Sequence, residues 1–549
     1  MFKKGVRFDF WSFISLLSLI FFGLFLVIPV VRMLVFSLQS EEAIFTWDNF
    51  VRFFSRKYYT RALWNSVKVV SCATILVMLI GVPLAYITTT FKIRGNRLIN
   101  ILVIISMLSP PFLGAYSWIL MLGRNGEITR ILNSIGIGVP SIYGFGGILL
   151  VFVLKLFPYI YMYTKGALKK VDASLGEAAE SLGYHGIRKV VKVSLPLVLP
   201  TILAGATIVF LRAFADYGTP RLIGEGFSTL PVIVYQEWVS ETGANAYFAS
   251  AVAMIMIIIA ALVFLLQKWI TSRKNYTMSM LNPIRPKQLK GAANVLAHFY
   301  VYLIAVLATL PQIYIILISF RNTKGVMWDE GYGFSSYITV FTKSIKSILN
   351  TFEFGIIAIC VVVVLGTLFA YVTVRKKNLF SKILDVFIMF PYVIPGTIFG
   401  LLLLMTYNQP PLVLSGTAAI IIISYVIRRM PYTVRSSAAI LRQISPSIDE
   451  ASASLGYGSM QTFFNVTMPV MVPGIISGAI LSWITILNEL SSTLMLYTGR
   501  TQTMTVTIFQ EISRGGYGTA AALSTILTVT MVTSLMIFFK ITKSEDIDL

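Results

Sequence analysis

Four ionisable residues stand in or beside apolar stretches of the chain: Asp216, Glu489, Lys155 and Arg428. Asp216 and Glu489 are 273 residues apart, and so are Lys155 and Arg428. Ionisable groups near a membrane interior are costly enough to imply a function. Two carboxylates beside one pathway would supply the hard oxygen ligands that a trivalent cation prefers, so Asp216 and Glu489 are candidate metal ligands. Two cations in the same place would instead favour an anion. Each pair also has a plainer reading. The carboxylates could face water at the membrane surface, with Asp216 paired to Arg212 one turn earlier. Lys155 and Arg428 could snorkel to the interface or pair with carboxylates of a partner.

Other chemistry is missing from the sequence. There is no phosphate-binding loop, no zinc-protease motif, and no Ser-His-Asp or Cys-His pairing. Cys72 and Cys360 lie in apolar runs, and His185 and His298 are isolated from each other and from carboxylate clusters. No catalytic residue and no cofactor of the chain's own are expected, so any energy source must be a partner or an ion gradient.

The elements that position these residues are membrane spans. Of the 549 residues 56% are hydrophobic and 12% charged, and the mean hydropathy is +0.79. That leaves too little polar surface to cover a soluble globule, whereas runs of about 20 apolar residues, enough to cross a bilayer, recur throughout. The fold class is therefore an all-α polytopic membrane protein of about 12 spans. They are expected near 11–36, 64–90, 98–122, 146–165, 197–215 and 246–268, then 295–320, 349–374, 383–406, 414–430, 470–489 and 519–540. The first run is too long for a signal peptide and reads as an uncleaved span. The net charge of +22 does not indicate nucleic acid, because the basic residues sit at the ends of apolar segments with no soluble domain around them.

The 273-residue displacement extends to a short polar stretch present twice. Glu177-Ala178-Ala179-Glu180-Ser181-Leu182-Gly183 is followed after nine residues by Val193-Ser194-Leu195-Pro196. Glu450-Ala451-Ser452-Ala453-Ser454-Leu455-Gly456 is followed after nine by Val466-Thr467-Met468-Pro469. Ser174 with Glu177, and Ser447 with Glu450, have capping-box form and predict helix starts. Gly183 and Gly456 sit where a left-handed residue would end each helix. The expected result is a compact knob, closed by Pro196 or Pro469 and suited to docking in another protein's groove. Asn65 and Asn350, Gly81 and Gly366, and Pro158 and Pro431 also correspond, so two halves are expected: residues 1–268 with a loop at 172–196, and 295–549 with a loop at 445–469.

Most of the Lys and Arg fall in connections on one side of these spans, including the linker 269–294. The positive-inside rule then places both termini and both knobs in the cytoplasm. With six spans between equivalent points, the halves share one orientation about an axis along the membrane normal. Pro110-Pro111 and Pro391 with Pro395-Gly396 mark kinks in the third and ninth spans.

The doubled stretch resembles the cytoplasmic coupling loop of the permease subunits of binding-protein-dependent ATP-binding cassette importers. Ser452 departs from that pattern, as do Val193 and Val466 where isoleucine is usual. The resemblance implies that Glu177, Ala178, Ala179 and Gly183, and Glu450, Ala451, Ser452 and Gly456, dock on a cytoplasmic ATPase dimer. ATP and magnesium would be bound by that partner, and an extracytoplasmic solute-binding protein would deliver a small substrate. Fusion of both halves, with Phe214 to Pro220 and Asn488 to Leu494, most resembles the ferric iron subgroup; thiamine and aminoalkylphosphonate permeases are close relatives. It implies a bacterial cytoplasmic membrane location. An ion-driven secondary transporter is the rival from another class, and would need no docking knobs.

Overall fold

A computed structural model describes residues 10–542 apart from 43, 109, 111, 240–244, 273–285, 326 and 377. Pro111, the middle of the expected linker and the basic residues at both extreme ends lie outside the described residues. The first half comprises α1 (Phe10–Ser37), α2 (Lys57–Thr90), α3 (Asn96–Leu108), α4 (Leu113–Leu122), α5 (Phe145–Lys169), α6 (Ala173–Ser181), α7 (Gly186–Phe214), α8 (Leu230–Val239) and α9 (Ala246–Ser272). The second repeats the order with α10 (Gly291–Ser319), α11 (Ile345–Arg375), α12 (Leu379–Val393), α13 (Gly396–Thr406), α14 (Ala418–Gln443), α15 (Pro446–Ser454), α16 (Ser459–Leu487), α17 (Met504–Arg514) and α18 (Tyr517–Thr542). Among the described residues nine helices are long and apolar enough to cross a membrane, and the bent pair α12–α13 makes a tenth. An antiparallel hairpin, β1 (Arg321–Lys324) and β2 (Met327–Tyr332), was not expected and lies in the loop after α10.

Both halves are built alike. α2 and α7 pack along α5, as α11 and α16 pack along α14. Asn65 donates to the Ser228 carbonyl and Asn350 to the carbonyls of Arg500 and Gln502, so the repeated asparagines tie down the loops ahead of α8 and α17. The first helix of each half crosses to the other. In α1, the Leu24 carbonyl accepts from Tyr407 and Arg32 donates to the Thr406 carbonyl; in α10, the Pro311 carbonyl accepts from Ser117. Outward faces carry exposed Leu79, Leu262, Val306 and Val364, the apolar belt of a chain embedded in lipid.

Four sequence expectations change. The span expected at 383–406 breaks at Ile394-Pro395, where α12 and α13 meet at 112°. A residue before proline is pushed out of the helical region, and Ile394 is extended. The span expected at 414–430 continues as α14 to Gln443, so Arg428, Arg429 and Arg435 all belong to one helix. The knob helices start earlier than the capping-box reading predicts: Asp172 and Ser445 are the caps, accepting from the backbone N–H of Ser174 and Ser447. Nor do Pro196 and Pro469 close the knobs. Each follows a five-residue π turn, Val190–Ser194 or Phe463–Thr467, that carries the helix into the span; the wider turn accommodates a residue with no N–H to give.

Close packing of α16 on α14 depends on Gly474 and Gly478, a small-residue spacing that lets membrane helices approach. A Cβ on Gly478 would lie 2.5 Å from Thr433 Cα, whereas one on its repeat counterpart Gly205 meets only side-chain atoms of Ile160 and Tyr163, at 3.2 Å or more. Gly478→Ala is therefore expected to destabilise the protein by about 1–3 kcal/mol and Gly205→Ala by less, read from thermal unfolding in detergent.

Candidate functional site

A cavity of about 230 Å³ opens between the halves, lined from both by residues of α5, α7, α14 and α16 and by the α12–α13 break. Its walls obey the repeat: Lys155 and Arg428, Tyr159 and Tyr432, Arg212 and Thr485, and Asp216 and Glu489 all line it at the same displacement. The structure brings all four expected pathway residues to this one place. It also settles which residue each one faces.

Lys155 donates to Asp216 Oδ2 at 2.7 Å, and the other oxygen, Oδ1, accepts from the Thr219 backbone N–H at 2.9 Å. In the second half Arg428 and Arg429 both clamp Glu489, which also accepts from the backbone N–H and hydroxyl of Ser492 at 3.0 and 3.1 Å. The two halves thus contain the same joint. A carboxylate just past the end of α7 or α16 accepts from a backbone N–H three residues on and is held by a cation from α5 or α14. Asp216 is not paired with Arg212, and Glu489 does not face water, being 3% exposed. Both carboxylates are already engaged by cations, so a metal ion there would compete with Lys155 or with Arg428 and Arg429. Among the described residues no group of three or more His, Cys, Asp and Glu comes together as a metal site.

Arg212 has a different setting. Its Nη2 donates to the Tyr432 hydroxyl at 2.7 Å, and its guanidinium lies 4.5 Å from the centre of the Tyr159 ring. Tyr159 and Tyr432 are repeat counterparts, so Arg212 touches the same residue of each half. Gly396, the first residue after the helix break, packs against Arg428, and a Cβ there would lie 2.6 Å from Ser491 Cβ and 2.8 Å from Arg428 Nη1. Sequence reasoning assigned no role to Tyr159 or Tyr432, although the same displacement relates them.

At the other end of α5 and α14 stand the knobs. Gly183 and Gly456 adopt left-handed φ values of 82° and 88° and end the knob helices. Ala179 and Ser452 face inward, the Ser452 hydroxyl meeting that of Thr462 at 3.0 Å, while Glu177, Ala178, Glu450 and Ala451 are exposed. Five exposed apolar residues recur in register: Leu175, Leu182, Tyr184, Ile187 and Val191 on one knob, and Ile448, Leu455, Tyr457, Met460 and Phe464 on the other. Their anchors differ. Glu180 of the first knob meets Lys189 at 2.8 Å and Lys287 at 3.6 Å. The hydrogen bond from Lys189, then the charges of both lysines, hold its carboxyl below the usual range. Asp449 of the second meets Arg375 at 2.9 Å and Thr467 at 2.8 Å.

Two tandem helical halves around a shared ionised cavity define a transmembrane permease. The family model described as "Binding-protein-dependent transport system inner membrane component" matches residues 78–276 and again 362–542, and the chain belongs to that family. It is 28% identical to the ferric transport system permease protein FbpB of Actinobacillus pleuropneumoniae over 97% of this chain and 78% of that one. It is also 28% identical to the putative ferric transport system permease protein FbpB 1 of Haemophilus influenzae, over 91% and 79%. One half matches the molybdenum transport system permease protein ModB of Mycobacterium tuberculosis, at 27% identity over 43% of this chain and 90% of that one.

Proposed function

We propose that this chain is the membrane pathway of an ATP-driven importer of iron(III). A solute-binding protein delivers the substrate at the outer face, and a cytoplasmic ATPase dimer docks on the two knobs, one subunit on each. Both termini and the linker 269–294 then lie in the cytoplasm. The observation that carries the coupling is the pair of knob faces, each with the same five apolar positions left open to solvent. Repeated apolar anchors at one spacing fit two identical partner surfaces. Nucleotide binding in the partner would change the spacing of the knobs and rock the halves, exposing the cavity to alternate sides.

Iron is favoured because the two ferric transport relatives match both halves and their junction in a single chain. The test is uptake of radiolabelled iron by cells carrying this chain with its ATPase and binding protein, beside thiamine, an aminoalkylphosphonate and molybdate. Uptake of iron alone is expected; uptake of one of the others in its place would keep the transporter and discard the substrate. In this reading Asp216 and Glu489 act first as joints. They would ligand the ion only while Lys155 or the arginines moved aside, and loss of uptake in Asp216→Asn at normal expression would support that role.

A further inference from the structure

The described lining of the central cavity carries four cations, Lys155, Arg212, Arg428 and Arg429, against two carboxylates, Asp216 and Glu489. Two of the four cations belong to the duplicated joint, in which one cation answers one carboxylate in each half. The other two are additions to a symmetric scaffold: Thr485 occupies the place of Arg212 in the second half, and Leu156 that of Arg429 in the first. Arg429 shares Glu489 with Arg428, so that one carboxylate faces two positive charges, and Arg212 meets only tyrosines among the contacts described for it. Unbalanced cations within a membrane bundle are expensive and mark a pathway. These do not snorkel, because they face an internal cavity whose wall also holds Tyr159, Tyr163, Tyr392 and Tyr432.

We propose that the cavity is an oxyanion site, and that the metal enters it bound to a phosphate-type or carboxylate-type oxyanion and not as a bare cation. The substrate class rests on the iron reading above. A bare trivalent ion would meet an excess of positive charge, whereas an oxyanion complex presents oxygens to guanidinium groups suited to receiving them. Tyrosine hydroxyls supply further donors. The cavity volume is many times what one water needs, so a complex fits where a bare ion would leave most of it empty.

The test uses the full chain, purified with its co-eluting ATPase, and measures equilibrium binding of labelled inorganic phosphate and of labelled citrate, each with and without ferric ion, and of ferric ion alone. The wild type is expected to bind at least one oxyanion, more tightly when iron is present. Arg212→Gln and Arg429→Gln should each weaken that binding about tenfold or more, the worth of a lost charge-assisted hydrogen bond. Arg212→Lys and Arg429→Lys, which keep the charge, should restore most of it; Arg212 holds no carboxylate among the contacts described for it, so a merely structural role there would not follow charge in this way. Arg212→Gln keeps the test open if Arg429→Gln fails to fold. Binding of ferric ion alone, no binding of either oxyanion, or glutamine variants that bind as the wild type does would each overturn the proposal. Iron uptake with none of these oxyanion signals would leave the proposed function standing and remove only the site. Oxyanion binding with no response to iron would support the site and count against iron as its companion.

Discussion

Glu489→Ala is expected to cost the protein about 3–5 kcal/mol, the penalty of stranding a buried charge by removing its partner. Here two charges are stranded, because Arg428 and Arg429 share that one carboxylate, and the Ser492 N–H and hydroxyl lose their acceptor. The measurement is the thermal midpoint and monodispersity of the detergent-solubilised protein. Asp216→Ala should cost less, since Asp216 holds one cation and the Lys155 side chain is 19% exposed. The triple variant Arg428→Met, Arg429→Met, Glu489→Leu should recover most of the stability, because replacing a whole buried ionic cluster by apolar groups is often neutral. Recovery of stability without recovery of uptake would separate the joint from the pathway. An unchanged midpoint in Glu489→Ala would refute the clamp.

Leu182→Asp combined with Leu455→Asp is expected to leave the fold intact and to release the ATPase. The two residues are 77% and 80% exposed, so neither change disturbs the packed interior, and exposed substitutions usually stay within about 0.5 kcal/mol. If each leucine is a central anchor, its loss is worth about 2 kcal/mol or more, roughly thirtyfold in affinity at each knob. Co-elution of the ATPase and ATP-dependent uptake should both fall, each single variant falling part way. Full co-elution of the double variant would remove the knobs as docking sites.

The repeat carried most of what the sequence could show. One displacement relates the knobs, the carboxylates and the cations, and the structure places each pair at matching points. Contact was harder to read. Lys155 and Asp216 are 61 residues apart, as are Arg428 and Glu489, but a shared spacing says that two pairs are equivalent, not that their members touch. Arg212 looked closer to Asp216 along the helix, yet the chain leaves α7 at Phe214 and turns Asp216 toward α5 instead. Arg428 offered itself as snorkelling or paired with a partner's carboxylate, because the sequence could not show that the carboxylate that holds it, Glu489, stands just past the end of α16 in the same chain. Proline spacing announced an interruption near 391–396 but not its 112° angle, which depends on what α12 and α13 pack against. Asp172 and Ser445 beat the more familiar Ser174 and Ser447 as caps because each stands just ahead of its first helical residue, and Pro446 already has the helical φ.

ATP hydrolysis by the complete transporter is the most direct test of the account: this chain reconstituted in lipid vesicles with its ATPase and its iron-loaded binding protein, compared with the same binding protein empty. Stimulation by the iron-loaded form, lost in the Leu182→Asp, Leu455→Asp variant, is the predicted result. An ATPase that never associates with the chain, or hydrolysis indifferent to both the loaded binding protein and the knob substitutions, would contradict it.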